Sequence, residues 1–236
     1  MKKNICWVLF ILSMVLYTDF FIFHLSSRES TFLFYPSKTV LFANICLFLM
    51  IFLVHNFFYP KNITDHAQVI SYPPMIMLFL ANLSVLLEIL KVGIVINYVN
   101  FFADILNLIN LPVFDILGIN IFGQNSGLFF MFLSIIIISL AIKQFANIEE
   151  DPNPTTSSKS IIAIGIYNWT RNPMYLGLVF FHFGLGLALR APPITSFSLL
   201  TLIIFNYFVI KREEEYLERK FGDTYLVYKK KVRRWL

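Results

Sequence analysis

Long runs of apolar residues, separated by short polar stretches, dominate the pattern along the chain. A helix that crosses a membrane needs about 20 consecutive apolar residues, and six stretches approach or exceed that length. The pattern therefore predicts an all-α, polytopic membrane helical bundle. It has about six transmembrane helices, near residues 4–24, 39–59, 73–96, 124–142, 173–189 and 193–210.

The composition agrees with lipid as the main solvent. Of the 236 residues, 58% are hydrophobic and only 14% are charged, and the mean hydropathy is +0.71. In soluble domains about a quarter of all residues are charged. A soluble protein with a large core is therefore excluded, and we expect membrane lipids as partners and no nucleic acid.

The distribution of lysine and arginine predicts the orientation of these spans. With the N-terminus inside, the inner segments hold fifteen basic residues, nine of them after residue 210, and the outer loops hold three. Cytoplasmic segments carry such an excess. Both termini are therefore expected in the cytoplasm, although a bacterial inner membrane and the endoplasmic reticulum are not distinguishable.

Residues 101–122 are long and apolar enough to suggest a seventh span. Asp104, Asp115 and Pro112 argue against it, because one aspartate near the bilayer centre costs about 2.5–3.5 kcal/mol on insertion scales. We interpret the segment as a re-entrant or interfacial connector on the outer side.

A shift in composition near residues 60–72 divides the chain. Residues 1–72 are predicted to form a two-helix membrane extension, and residues 73–236 the main domain. The main domain contains a cytoplasmic loop, 143–172, and a C-terminal amphipathic helix, 211–236. The basic residues of that helix suit a position on anionic headgroups.

The stretch TRNPMYLG, residues 170–177, carries polar and turn residues where a span begins. Asn172 is a good N-cap, and Pro173 suits the first helical turn, where its missing N–H costs nothing. Gly177 allows a neighbouring helix to approach closely. The start of a helix explains Asn172 and Pro173, but it gives no reason for the arginine at 171 or the tyrosine at 175.

A second polar block, KREEEYLERKFGDTYLVYKKKVRRWL, follows the last span. Its acidic triplet, residues 213–215, stands at the membrane boundary, where carboxylates need partners. Arg171 lies on the same side of the membrane and is one available partner.

These two blocks resemble the superfamily of isoprenylcysteine carboxyl methyltransferases and phospholipid methyltransferases. The matching residues appear in order and at the expected gap: Gly165, Tyr167, Arg171, Asn172, Pro173, Tyr175, Gly177, then Glu213, Glu214, Leu217, Phe221, Gly222, Tyr225 and Tyr228. The likeness covers residues 124–236 well and residues 1–72 not at all. Many members have histidine in place of Asn172, which weakens any transfer of a prenylcysteine substrate to this chain.

The resemblance implies S-adenosylmethionine as cofactor, bound at the cytoplasmic face by the loop 143–172 and the C-terminal helix 211–236. It also implies a lipidic or small hydrophobic methyl acceptor that enters between helices. We expect Arg171 and Glu214 as catalytic residues, with Arg171 pairing the cofactor carboxylate or else Glu213. Of the two adjacent glutamates, one is expected on the cofactor and the other on an arginine. The expected cofactor-binding residues are Gly165, Tyr167, Asn172, Pro173, Tyr175, Gly177, Glu213 and Glu214.

The acceptor class follows from the need for a base. A carboxylate or thiol needs no strong base, whereas an ammonium must first lose a proton. Since the sequence identifies no base for an amine, it favours a carboxylate or a thiol.

Other candidate groups are assigned structural roles. His182 shares a helix face with Tyr175, and we interpret it as a buried neutral histidine bonded to a neighbouring helix. Glu88 and Lys91 are interpreted as a local pair near a helix end. Neither the histidines nor Cys6 and Cys46 have the spacing of metal ligands, so no metal is expected.

Two alternatives remain open. Sterol reductases, which use NADPH, resemble the C-terminal block, but the loop between 144 and 172 holds only two basic residues for the extra phosphate. The other alternative is a non-catalytic membrane protein that keeps the fold. A soluble-type methyltransferase domain is excluded, because no glycine-rich Rossmann fingerprint is present.

Overall fold

The computed structural model describes residues 2–17, 38–58, 67, 69, 71–90, 97, 101, 104–105, 124–152, 156–189 and 191–236. Within these ranges every regular element is helical, which confirms the all-α class. The connector predicted at 101–122 lies outside the described residues except at 101, 104 and 105. Lys91 and the side chain of Glu88 lie outside them as well.

Eight α-helices are described, and they are numbered here in chain order. They are α1 (Lys2–Leu16), α2 (Lys38–Phe58), α3 (Pro73–Ile89), α4 (Gln124–Asn147), α5 (Pro173–Ala188), α6 (Pro192–Ile204), α7 (Lys211–Phe221) and α8 (Asp223–Lys231). A 3₁₀ turn, Gly165–Asn168, precedes α5, and a π-helical segment, Phe205–Ile210, joins α6 to α7 without a break.

Each predicted span coincides with an apolar helix. Three helices are long and apolar enough to cross a membrane: Val40–Phe58, Asn125–Asn147 and the continuous Pro192–Phe221. Three are shorter over their described residues: Ile5–Leu16, Pro73–Leu87 and Pro173–Ala188. Several apolar helices of this kind indicate an integral multi-pass membrane protein, while the number of six spans and their orientation stay predictions.

The predicted C-terminal helix 211–236 is wrong in its extent. It divides at Gly222, whose φ of +54° lies in the left-handed region that favours glycine. The chain after Lys231 is not helical, and the first half of the predicted helix continues the last apolar helix instead of beginning anew.

Helices α4 and α5 pack backbone to backbone through glycines. A Cβ on Gly127 would lie 2.2 Å from the amide nitrogen of Ala188 and 2.6 Å from the carbonyl of Gly184. A Cβ on Gly177 would lie 2.5 Å from the side chain of Ile138. Small residues permit this approach between membrane helices, and the contact fixes the start of α5 against α4.

Replacing Gly127 with alanine is expected to lower the free energy of unfolding by about 1–3 kcal/mol, as overpacking does. The new methyl group meets backbone atoms, which do not move aside as a flexible side chain would. Thermal unfolding in detergent measures the effect. Leu128→Ala is the control, because Leu128 is 53% exposed; equal stability of both variants would contradict this packing.

The N-terminal helices pack on the rest of the bundle. The Tyr17 hydroxyl donates to Asn82 Oδ1 on α3 at 2.8 Å, and the Asn82 amide donates to the Asn44 carbonyl on α2 at 3.0 Å. Val40 and Val85 share one buried cluster with Ile194 of α6. The extension therefore contributes to the same core as the main domain.

Candidate active site

The buried centre of the site is an ion pair between Arg171 and Glu214. Arg171 Nη2 lies 2.7 Å from Glu214 Oε1, and the two side chains are 8% and 5% exposed. Arg171 Nη1 donates to the backbone carbonyls of Lys229 and Val232. Most of the guanidinium is therefore occupied within the protein, and Nε is its one buried donor without a partner among the described residues.

Arg234 completes this cluster from the end of the chain. Its Nη2 lies 2.6 Å from Glu214 Oε2, its Nε donates to Oε1 at 3.0 Å, and its Nη1 donates to Asn206 Oδ1 at 3.0 Å. Burial alone would raise the pKa of Glu214, but the hydrogen bonds and charges of Arg234 and Arg171 hold that pKa below its ordinary value. Arg171 and Arg234 therefore favour the charged form of Glu214.

The last residues of the chain are tied to the entry of α5. The Arg171 amide donates to the Arg233 carbonyl at 2.9 Å. The Thr170 hydroxyl and the Asn172 side-chain amide donate to the Arg234 carbonyl at 3.0 and 2.9 Å. These bonds join the two sequence blocks, 62 to 64 residues apart, into one unit.

Glu213 and the adjacent Glu214 contact different side chains. The Tyr175 hydroxyl of α5 donates to Glu213 Oε1, and the Tyr175 ring packs on Phe205 with centroids 5.4 Å apart. Burial raises the pKa of Glu213 to about 7. The hydrogen bond from Tyr175 lowers this pKa in part, and the negative charge of Glu214 raises it further. Glu213 is thus a carboxyl that changes its charge near neutral pH.

A cavity of about 580 Å³ opens beside these groups. It lies at the end of the bundle where α2 and α4 finish and where α3 and α5 begin. Its polar lining includes Tyr167, Arg171, Asn172, Tyr175, Glu213, Glu214, Tyr225 and Tyr228. Its apolar lining includes Val54, Pro73, Pro74, Met75, Ile138, Ile142 and Leu178.

Seven of the nine predicted site residues line this cavity: Tyr167, Arg171, Asn172, Pro173, Tyr175, Glu213 and Glu214. Gly165 and Gly177 do not line it. Gly165 adopts φ +57°, and a Cβ there would lie 2.6 Å from the side-chain amide of Gln144. Gly177 contacts α4, as described above. Both glycines serve close packing around the site.

Two expected contacts differ from the structure. The alternative in which Arg171 pairs Glu213 is wrong, because its carboxylate partner is Glu214. Asn172 occupies the N-cap position of α5, but its side chain makes no capping bond. Its side-chain amide donates to the backbone carbonyl of Arg234 instead, because the end of the chain lies next to this turn.

His182 is buried and hydrogen-bonded to a neighbouring helix, as the sequence predicted. It is fully buried on α5, and its Nδ1 lies 2.8 Å from Thr201 Oγ1 on α6. It does not line the cavity. The hydrogen bond between neighbouring helices accounts for a polar residue at this position.

The sequence predicted a loop at 143–172 but did not single out its residues that line the cavity. Glu150 Oε1 accepts bonds from the Lys159 amide at 3.1 Å and the Ser160 hydroxyl at 2.9 Å. The Ser158 amide donates to the Tyr216 hydroxyl on α7 at 3.2 Å. Glu150, Ser158 and Ser160 line the cavity.

The sequence predicted an arginine beside one of the two glutamates without singling out Arg234, and it assigned nothing to Asn206. Arg234 lies in a run of basic residues that reads as a surface charge, and Asn206 lies in an apolar run. A single asparagine in a membrane helix is the one signal that pointed to a polar partner nearby.

Comparison with known proteins gives a consistent result. Residues 123–224 match the family profile described as phospholipid methyltransferase. Protein-S-isoprenylcysteine O-methyltransferase of Schizosaccharomyces pombe is 33% identical over 135 residues, 56% of each chain. The protein of the same name from Saccharomyces cerevisiae is 33% identical over 78 residues, 32% of each chain.

A short region is more similar to a bacterial sequence. An uncharacterized protein of Haemophilus influenzae is 58% identical over 38 residues, 16% of this chain and 60% of that protein. The chain thus spans 56% and 60% of the lengths of the S. pombe and H. influenzae proteins. No solved structure shows significant similarity to it. Residues 123–224 are thus similar to the phospholipid methyltransferase family, and the chain is distantly similar to isoprenylcysteine O-methyltransferases.

Proposed function

We propose that the chain is an integral membrane methyltransferase that transfers a methyl group from S-adenosylmethionine to a lipidic or small hydrophobic acceptor. The observation that carries the proposal is the cavity at one end of the bundle. One part of its lining is carboxylate, arginine and tyrosine, and the other part is apolar side chains of membrane helices. With both termini in the cytoplasm, the polar part faces the compartment that supplies the cofactor.

The residues present fit this cofactor. A volume of about 580 Å³ lies within the range of roughly 300–1,000 Å³ for pockets that hold such ligands. Glu213 provides a carboxylate for the amino group or the ribose, and the rings of Tyr167 and Tyr228 suit a sulfonium cation. When bound, S-adenosylmethionine supplies an activated methyl group that needs no further covalent activation by the protein.

Within this proposal Arg171 and Glu214 are positioning residues. Their charges face each other and Arg234, so they fix the entry of α5 and the end of the chain around the cavity. Only Arg171 Nε is left to meet a cofactor carboxylate. Holding two reactants in line and excluding water supplies much of the catalysis in such a transfer.

The acceptor proposed first is a carboxylate or a thiol, because neither requires a base. Glu213 supports a second candidate, an amine such as a lipid headgroup amine. Its carboxyl lines the cavity and has a pKa of about 7. In that reaction Glu213 would take the proton of the ammonium and free the nitrogen lone pair. The bound cofactor would supply the methyl group, with breakage of its methyl–sulfur bond and S-adenosylhomocysteine as the leaving group.

Transfer of a radiolabelled methyl group tests the proposal. The protein in nanodiscs receives methyl-labelled S-adenosylmethionine together with lipids that carry a carboxylate, a thiol or an amine. Label in one lipid class identifies the acceptor. No transfer to any lipid, under conditions where the cofactor binds, would contradict the proposed activity and favour a non-catalytic protein.

The pH dependence of cofactor binding follows from the pKa of Glu213. Because this pKa is raised to about 7, the carboxyl gains its negative charge as the pH rises through neutrality. A cationic ligand then binds more tightly. From pH 6 to pH 8 we expect the affinity for S-adenosylmethionine to rise about tenfold in calorimetry. Glu213→Gln removes this rise, and an equal rise in that variant would contradict the assignment.

A further inference from the structure

We propose that a groove between the 3₁₀ turn and the end of the chain binds the headgroups of anionic phospholipids in the protein's own bilayer. The groove lies apart from the cavity described above and shares no lining residue with it. It is lined by Asn168, Trp169, Lys231, Val232, Arg233 and Leu236.

The groove presents apolar surface to its surroundings. Trp169 is 77% exposed and Leu236 is 68% exposed. Tryptophan concentrates at the boundary between lipid and water, where its ring is amphipathic. An indole left this open on an ordered turn is unusual for a surface that faces only water.

Several contacts place the groove at the level of the membrane boundary. Trp169 precedes the first residue of α5 by four positions, and the Arg171 amide is bonded to the Arg233 carbonyl. The Trp235 indole donates to Asn206 Oδ1 at 3.2 Å. Asn206 lies inside the last apolar helix, next to Tyr207 and Phe208, which are 61% and 45% exposed. Lipid therefore borders the same surface.

The charged side chains that line the groove, Lys231 and Arg233, are both positive. In the described part of the chain, neither the Lys231 ammonium nor the Arg233 guanidinium has a hydrogen-bond or ion-pair partner. Val232 between them is 4% exposed, so its inward side chain directs both neighbours outward. Arginine and lysine bind phosphate groups well.

The basic residues of α8 divide between two roles. Lys229 pairs with Glu218 and lies 3.6 Å from Glu214, so it belongs to the site. Lys230 and Lys231 are exposed beyond it. Two or three free cations beside an exposed indole, at the height of the headgroups, match a negatively charged lipid surface.

Quenching of tryptophan fluorescence by brominated lipids tests the proposal. The protein is placed in phosphatidylcholine nanodiscs that contain either brominated phosphatidylglycerol or brominated phosphatidylcholine at equal mole fraction. The signal of Trp169 is the difference between the wild type and Trp169→Phe. We expect the anionic lipid to associate with Trp169 about fivefold more strongly, which corresponds to a total preference of roughly 1 kcal/mol.

A matched pair of variants assigns the preference to the groove. Lys231→Gln with Arg233→Gln is expected to reduce the fivefold ratio to near one, while Arg233→Lys keeps most of it. Lys211→Gln with Arg219→Gln removes the same charge from exposed positions on α7 and leaves the ratio unchanged. Equal quenching by the two lipids in the wild type, or equal effects of the two double variants, would overturn the proposal. The measurement needs no cofactor, so its outcome is independent of the proposed activity.

Discussion

Replacing Glu214 with glutamine is expected to lower the free energy of unfolding by roughly 3–5 kcal/mol, the cost of removing one partner from a buried ion pair. Glu214 is 4% exposed and receives bonds from both Arg171 and Arg234. The amide leaves the buried Arg171 guanidinium without a counter-charge. It also weakens the bonds that fold the end of the chain onto α5. Thermal unfolding of the purified protein in detergent measures the loss.

Glu215→Gln is the matched control for this prediction. Glu215 is the next residue on α7, but its side chain is exposed. The same chemical change there should alter the free energy of unfolding by less than about 0.5 kcal/mol. Similar stability of the Glu214 and Glu215 variants would show that the buried cluster does not hold the two sequence blocks together.

Replacing Glu213 with glutamine is expected to weaken binding of S-adenosylmethionine by about tenfold to hundredfold, since a hydrogen bond to a charged group contributes roughly 1.5–3 kcal/mol. The fold should survive, because the amide oxygen still accepts the bond from Tyr175. The variant therefore separates cofactor binding from stability, in contrast to Glu214→Gln. Calorimetric titration in nanodiscs gives the two dissociation constants.

Glu215→Gln again provides the comparison, since it removes one negative charge from the same helix outside the cavity. It should bind the cofactor as the wild type does. If Glu213→Gln binds S-adenosylmethionine as tightly as the wild type does, Glu213 does not contact the cofactor. The tyrosines would then be its main contacts.

The sequence predicted those features that depend on local pattern. Apolar runs located the helices, and Asn172-Pro173 located the start of α5. The argument that adjacent glutamates on a helix cannot face one atom is confirmed by their contacts: Glu213 accepts a bond from Tyr175, whereas Glu214 lies against two arginines.

The sequence anticipated that Arg171 pairs with the acidic triplet, but the contacts of the chain end with distant segments were not predictable. The carbonyl of Arg234 accepts bonds from Thr170 and Asn172, which are more than sixty residues away. Neither hydropathy nor charge distinguishes Arg234 from the exposed Arg233 beside it, although one is part of the site and the other is not. The family profile ends at residue 224 and gives no signal there.

The break of the helix at Gly222 and its continuity across Ile210 were also not predictable from the sequence. Gly222 fell within the single helix predicted at 211–236, and the charged residues from Lys211 onward suggested that this helix was separate from the last span. Because a helix passes from lipid into water without a change of backbone, composition marks the membrane boundary and not the end of the helix.

Calorimetric titration of the wild-type protein in nanodiscs with S-adenosylmethionine, S-adenosylhomocysteine and NADPH tests the central claim most directly. We predict binding of the first two ligands in the micromolar range and no binding of NADPH. Binding of NADPH alone would contradict the account in favour of a reductase, and binding of none of the three would favour a membrane protein that keeps the fold without the cofactor.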